Sequence, residues 1–191
     1  MRVDRAYDSQ GRQLTQAYYG KDGKPTVDKN SISHWENIYD SVTKKLKKDI
    51  LYSLPGYGVW GYKNVMRVER EYDSQGRQLT QAYYGKDGKP TVDKNNIVRW
   101  RDEFDRQKKS RKRILYSLPG YGVWGYKNVM RVEREYNAAG KIIKQSYFDK
   151  AGNLTPFVGS VARVEWEYNA AGKIIKQSYF DKAGKAITTV R

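Results

Sequence analysis

The stretch EREYDSQGRQLTQAYYGKDGKP, Glu69–Pro90, decides how this chain folds. Nearly all of it is written once before, as Tyr7–Pro25. An acid beside a tyrosine, several aromatics and the glycines Gly76, Gly85 and Gly88 read either as a chemical site or as a turn between strands. Spacing selects the turn. In YDSQGR, Asp73 and Gly76 stand at the first and fourth positions of a type I turn, where Asp or Asn and Gly are favoured. The carboxylate can bond nearby backbone N–H groups, and a glycine at positive φ lets the chain re-enter a second strand through a bulge. Asp8, Asn137 and Asn169 occupy the same place before Gly11, Gly140 and Gly172. Asn for Asp is a replacement that a turn accepts and a catalytic acid does not. GKDGK and DKAGN repeat the device later in each unit, and LPGY offers the Pro-Gly, type II solution.

Copying is extensive. Tyr7–Asn30 equals Tyr72–Asn95, Ile50–Tyr72 equals Ile114–Tyr136, and Glu135–Gly152 equals Glu167–Gly184. The underlying period is shorter. Tyr7, Tyr39, Tyr72, Phe104, Tyr136 and Tyr168 recur at about 32 residues, each preceded by Val3, Trp35, Val68, Trp100, Val132 or Val164. A second aromatic follows each: Tyr19, Tyr52, Tyr84, Tyr116, Phe148 and Phe180. One array of six units results, with bounds 1–32, 33–65, 66–97, 98–129, 130–161 and 162–191. Within a unit the alternation is that of strands: Met66, Val68, Arg70 and Tyr72 share one face, and Leu79, Gln81 and Tyr83 continue it. KLKKDILYSL could pass for a helix, but it occupies the place of RQLTQAYY, which predicts a strand. Glu69/Glu71, Glu133/Glu135 and Glu165/Glu167, with Arg67 and Arg131, suit cross-strand ion pairs. The predicted fold is all-β: tandem β-hairpins stacked as a solenoid or as an extended twisted sheet. Each unit adds a short third segment such as KPTVDKN or GVWGYKN. A unit this small cannot bury its own apolar face, so its stability must come from neighbours.

Composition sets the bounds on chemistry. The 191 residues include no cysteine and one histidine, His34, which reads as a polar strand residue. No zinc spacing, phosphate loop or nucleophile beside a base is present; Gly-x-Gly in PGYGVWG lacks a following helix. No enzyme, no metal and no cofactor is therefore expected. The formal charge of +16 attracts polyanions without any particular fold. No apolar run reaches the length of a membrane helix, so no membrane insertion is expected.

The segment EYDSQGRQL, Glu71–Leu79, resembles the YD repeat of Rhs-type bacterial proteins, in which Tyr-Asp, two variable residues and Gly-Arg head a β-hairpin. The likeness covers units one and three, weakens to EYNAAGKII in five and six, and is lost in two and four. It implies hairpins wound into a long sheet or shell that encloses or displays something else. YYGKDGKP and SYFDKAGN are similar to cell-wall and glucan-binding repeats, which hold choline or sugar between aromatics of neighbouring hairpins. Both resemblances imply a bacterial surface or secreted protein; the N-terminus MRVDRAYD has no apolar signal core, which leaves the cytoplasm as the alternative. Met1 aligns with the internal Met66 and Met130, which suits a piece of a longer array.

Two constellations exceed what folding needs. Lys44, Lys45, Lys47 and Lys48, and Arg106, Lys108, Lys109, Arg111, Lys112 and Arg113, fall at the first-turn tip of units two and four. Clustered there, they would make a track for nucleic acid or acidic glycan, or simply solvated, soluble hairpin ends. Tyr57, Trp60 and Tyr62, copied as Tyr121, Trp124 and Tyr126, alternate with small residues as flat rings on a strand. They would stack on sugar or bases, or pack the next unit. The chain is thus read as a non-enzymatic structural or binding repeat module. The two alternatives are a polyanion-binding module and a carbohydrate-binding one. With no polar capping unit at either end, end-to-end self-assembly into a homo-oligomer or filament is a further expectation.

Overall fold

The computed structural model describes residues 1–105, 107 and 109–187. It is all-β and antiparallel, and six hairpins follow one another along the chain, as the turn spacing predicts. The chain divides into two compact units, Met1–Lys94 and Asn95–Arg191. In the first, β1 (Arg2–Tyr7), β2 (Gln13–Tyr19), β3 (His34–Tyr39), β4 (Leu46–Tyr52), β5 (Arg67–Tyr72) and β6 (Gln78–Tyr84) form a meander in chain order. In the second, the order is β7 (Arg99–Asp105), β8 (Ser110–Tyr116), β9 (Arg131–Tyr136), β10 (Ile142–Phe148), β11 (Arg163–Tyr168), β12 (Ile174–Phe180) and β13 (Ala186–Ile187). KLKKDILYSL is a strand, not a helix.

The Tyr-Asp pair builds turns. Asp73 Oδ1 accepts from the N–H of Gln75 (2.8 Å) and Arg77 (2.9 Å), its own carbonyl accepts from Gly76 N–H (2.9 Å), and Arg77 Nε closes on Oδ2 at 2.7 Å. Asp8 repeats each contact, and Asn137 repeats the backbone ones. Beside each such turn the pairing slips by one residue, at Glu71/Tyr72 for example, which is the expected bulge. Burial alone would raise the pKa of Asp73. The Arg77 backbone N–H and guanidinium and the Gln75 N–H overcome it and hold the carboxyl below its usual range.

One face of each meander carries the core. In the first unit Leu51, Val68 and Tyr83 lie directly opposite one another on β4, β5 and β6, all buried. Leu115, Val132 and Tyr147 make the same row on β8, β9 and β10. Loop residues Ile32, Val59, Val65 and Val92, and Val123 and Val129, are buried as well, so the connections contribute core.

The segment GVWGYKN departs from the expected strand. Val59–Gly61 and Val123–Gly125 are single 3-10 turns, with Trp60 and Trp124 at φ 55°, in the left-handed region. Alternation of aromatic and small residues imitates strand period, but Gly58 and Gly61 both take positive φ and curl the chain. The curl is locked by Val59 N–H to Val65 C=O (2.8 Å) and Trp60 N–H to Asn30 C=O (2.9 Å).

Two glycines test this construction. Gly76 has open space around a would-be Cβ but sits at φ +80°, so Gly76→Ala should cost on the order of 1 kcal/mol. At Gly58 a Cβ would fall 2.0 Å from the Tyr62 carbonyl oxygen, so Gly58→Ala should cost several times more. Urea denaturation of the two variants checks the order; equal losses would contradict it.

Candidate functional site

The basic tips are largely absorbed by the sheet. Only Lys44, Lys45 and Lys109 of the described cluster sit in turns; Lys47 and Lys48 belong to β4, and Arg111, Lys112 and Arg113 to β8. Arg106 and Lys108 lie outside the described residues. Lys48 Nζ meets Glu69 at 2.7 Å across the β4–β5 pair, and this hydrogen bond raises the lysine pKa. Lys112 Nζ meets Glu133 at 2.7 Å in the equivalent place. Arg113 grips Asp102 with two bonds of 2.7 Å, and Arg111 adds a third contact at 3.6 Å. Lys44 Nζ donates to Ser41 C=O, and Lys45 Nζ donates to Ser74 C=O on the next hairpin tip. Lys48, Lys112, Arg111 and Arg113 of these tips are thus engaged by carboxylates of neighbouring strands. Lys44, Lys45, Lys47 and Lys109 are exposed. The reason is register: Lys48 and Lys112 reach the diagonal glutamates, Glu69 and Glu133, that stand opposite Ile50 and Ile114.

Between adjacent tips lie two equivalent clefts. One of about 550 Å³ is lined by Phe104, Arg111, Lys112, Tyr136 and Asn137 with Glu103 and Glu135. Its counterpart in the first unit, about 160 Å³, is lined by Lys45, Lys47, Tyr72, Asp40 and Asp73. Acids and bases are mixed in both, and the Arg111 guanidinium already covers the Tyr136 ring at 4.0 Å.

A buried polar row runs beside the apolar one. Asp49 and Arg70 face each other, with Arg70 Nε to Asp49 Oδ1 at 2.8 Å and Tyr72 Oη donating to Asp49 Oδ2 at 3.2 Å. Burial above all pushes the Tyr72 pKa up to about 12. In the second unit Arg113 and Arg134 are directly opposite, a like-charge pair that Asp102 on one side and Gln145 (2.6 Å from Arg134 Nε) on the other make tolerable. Asp102 is the more critical of these partners: its side chain is 2% exposed.

The opposite face carries a device that recurs in every hairpin. A cation at the start of the first strand stacks on the second aromatic of the partner strand: Arg2 on Tyr19, Arg67 on Tyr84, Arg99 on Tyr116, Arg131 on Phe148 and Arg163 on Phe180, at 4.0–4.5 Å. In the second hairpin His34 replaces the arginine and lies flat on Tyr52, centroids 4.1 Å apart. Arg67, Arg131 and Arg163 also lie 3.1–3.2 Å from Glu69, Glu133 and Glu165. Their Nε atoms form no aligned hydrogen bond there, so these contacts are ionic. The sequence does show this signal, as Arg or His one residue before each Val or Trp of the repeat.

The aromatic candidates separate. Tyr57 and Tyr121 are each 50% exposed at the type II turns. Trp60 meets Tyr62 edge-on, with Lys94 over the Tyr62 ring. Trp124 lies under Arg134, and Tyr126 packs edge-on against Phe157, which stacks on Tyr147. Trp124 and Tyr126 thus both make packing contacts, and Tyr126 stays 37% exposed. No cluster of three or more metal-ligating side chains occurs among the described residues. No helix of the described residues is long and apolar enough to cross a membrane. Comparison with known proteins finds no matching family model and no significantly similar curated protein.

Asp102→Ala should cost roughly 3 kcal/mol, because it removes the carboxylate that Arg113 and Arg111 share while Arg113 faces Arg134; a loss under about 1 kcal/mol by urea titration would contradict the row. Burial lowers the His34 pKa below 6.5, against a smaller opposing pull from Glu36. The fold thus favours neutral imidazole. Its contribution is full above pH 6.5 and declines as pH falls through the folded value. An NMR titration of the single imidazole should give a depressed value; a raised one would mean that the ring on Tyr52 is held as a cation.

Proposed function

We propose that this chain is a non-enzymatic structural repeat module of a bacterial surface or secreted protein, a rigid β-scaffold that displays or spaces other parts. The observation that carries the reading is the recurrence of one cation–aromatic stack in hairpin after hairpin. A contact written in every unit is architecture, and Lys48, Lys112, Arg70 and Arg113 are engaged in ion pairs of the sheet as well. The bacterial and surface parts rest on the likeness of EYDSQGRQL to YD repeats. A second reading, polyanion binding, draws on the net charge of +16 and the exposed Lys47 and Lys109. Carbohydrate binding has less support, since Arg134 lies over the Trp124 ring and Phe157 meets the Tyr126 ring edge-on.

Heparin and duplex DNA binding, measured across salt and with Lys44, Lys45, Lys47 and Lys109 changed to Gln, separates the first two readings. The structural reading expects weak binding that fades with salt and drops only in proportion to the charge removed. Binding that persists at physiological salt and collapses in the fourfold variant would favour a polyanion site.

A further inference from the structure

Strands β10 and β12 carry the same seven residues, IIKQSYF, yet differ in environment. In β10, Gln145, Ser146 and Tyr147 are buried, the last at 2% exposure. In β12, Ile174 and Ile175 are 54% and 63% exposed, and Lys176 and Gln177 are exposed too. What covers β10 is the following hairpin. β11 pairs with it in the register Lys144↔Glu165, Gln145↔Val164 and Ser146↔Arg163. Tyr168 Oη donates to Ile142 C=O at 2.7 Å, while Lys141 lies over the Tyr168 ring and donates to Gly172 C=O. The same latch joins β3 to β2: Tyr39 Oη donates to Gln13 C=O at 3.0 Å, and Arg12 lies over the Tyr39 ring.

β12 holds the receiving half of this latch, namely the Ile174 carbonyl and an exposed Lys173. β1 holds the donating half. Its sequence RVDRAY follows RVEWEY of β11, and its Tyr7 is 54% exposed, whereas Tyr39 and Tyr168 are engaged. We propose that β12 of one molecule docks β1 of a second copy of this chain, antiparallel and in the β10–β11 register. Lys176 then faces Asp4, Gln177 faces Val3, and Ser178 faces Arg2. Tyr7 Oη donates to Ile174 C=O beneath Lys173. The contact is heterologous, so it extends head to tail. Lys176 facing Asp4 repeats the register of Lys144 and Glu165, a cation opposite a carboxylate, and β13 pairs with Tyr179 and Phe180 rather than with these positions. β13 pairs Phe180↔Ala186 as Phe148 pairs with Leu154 under the β10–β11 contact.

Sedimentation velocity of the 191-residue chain across a wide concentration range tests this. The expected result is a concentration-dependent series of multiples of 22.2 kDa. Tyr147 N–H points at β11, through its bond to Ala162 C=O, and so by alternation does Gln145 N–H. Its copy Gln177 therefore offers an outward N–H, and Gln177→Pro removes it at an edge that tolerates proline. Gln177→Pro should give a folded monomer, and Tyr7→Phe should weaken association severalfold with an unchanged circular dichroism spectrum. A wild-type monomer at every concentration overturns the proposal, as does association that survives both substitutions. If Gln177→Pro also loses its β-sheet spectrum, Tyr7→Phe alone decides.

Discussion

The rest of the structure depends on one joint, the docking of the first strand of a hairpin on the second strand of the hairpin before it. At β4–β5 this joint sets Leu51 against Val68 and Asp49 against Arg70. One pair is apolar and the other ionic, on one face and two residues apart. Neither partner could be buried by its own hairpin alone, because a two-stranded ribbon has no second layer. The connecting loops supply that layer in part, through Val59, Val65, Val123 and Val129. Low apolar content thereby becomes workable: a thin core is extended by a buried polar row in which carboxylate, guanidinium, amide and phenol satisfy one another.

That row also explains the charge of the chain. A surplus of cations looks like a surface made for polyanions, yet many lysines and arginines serve the sheet itself. Lys48 and Lys112 reach glutamates across a strand pair, and Arg113 shares Asp102 with Arg111. The repeated arginine-on-aromatic stacks use further cations on the other face. A cation over a ring keeps its charge near solvent while covering apolar area, which suits a half-exposed sheet face better than either leucine or a free lysine.

The hairpins were legible in the sequence because their turns are local. Asp73 and Gly76 specify a turn whatever else surrounds them, and the period of the lead aromatics places the strands. Strand identity at KLKKDILYSL followed from register against RQLTQAYY. Part of what the pattern does not show depends on contacts distant along the chain. Lys112 meets Glu133 diagonally across the β8–β9 pair, with Glu133 opposite Ile114, and strand alternation alone does not set that register. GVWGYKN reads as a strand because alternating rings and glycines mimic strand period, whereas Gly58 and Gly61 at positive φ curl the segment. The tyrosine latch from Tyr39 and Tyr168 to a main-chain carbonyl left no trace in the pattern, since a phenol pairs with backbone of any sequence.

Residue-resolved hydrogen exchange under native conditions tests the central claim most directly. If inter-hairpin docking carries the stability, the amides of β4 and β5 will exchange together in one cooperative opening, slowest of the first unit, with β1 exchanging first. Protection that instead rises and falls hairpin by hairpin, with β4 and β5 opening independently, would show that each hairpin is stable by itself and would contradict the account.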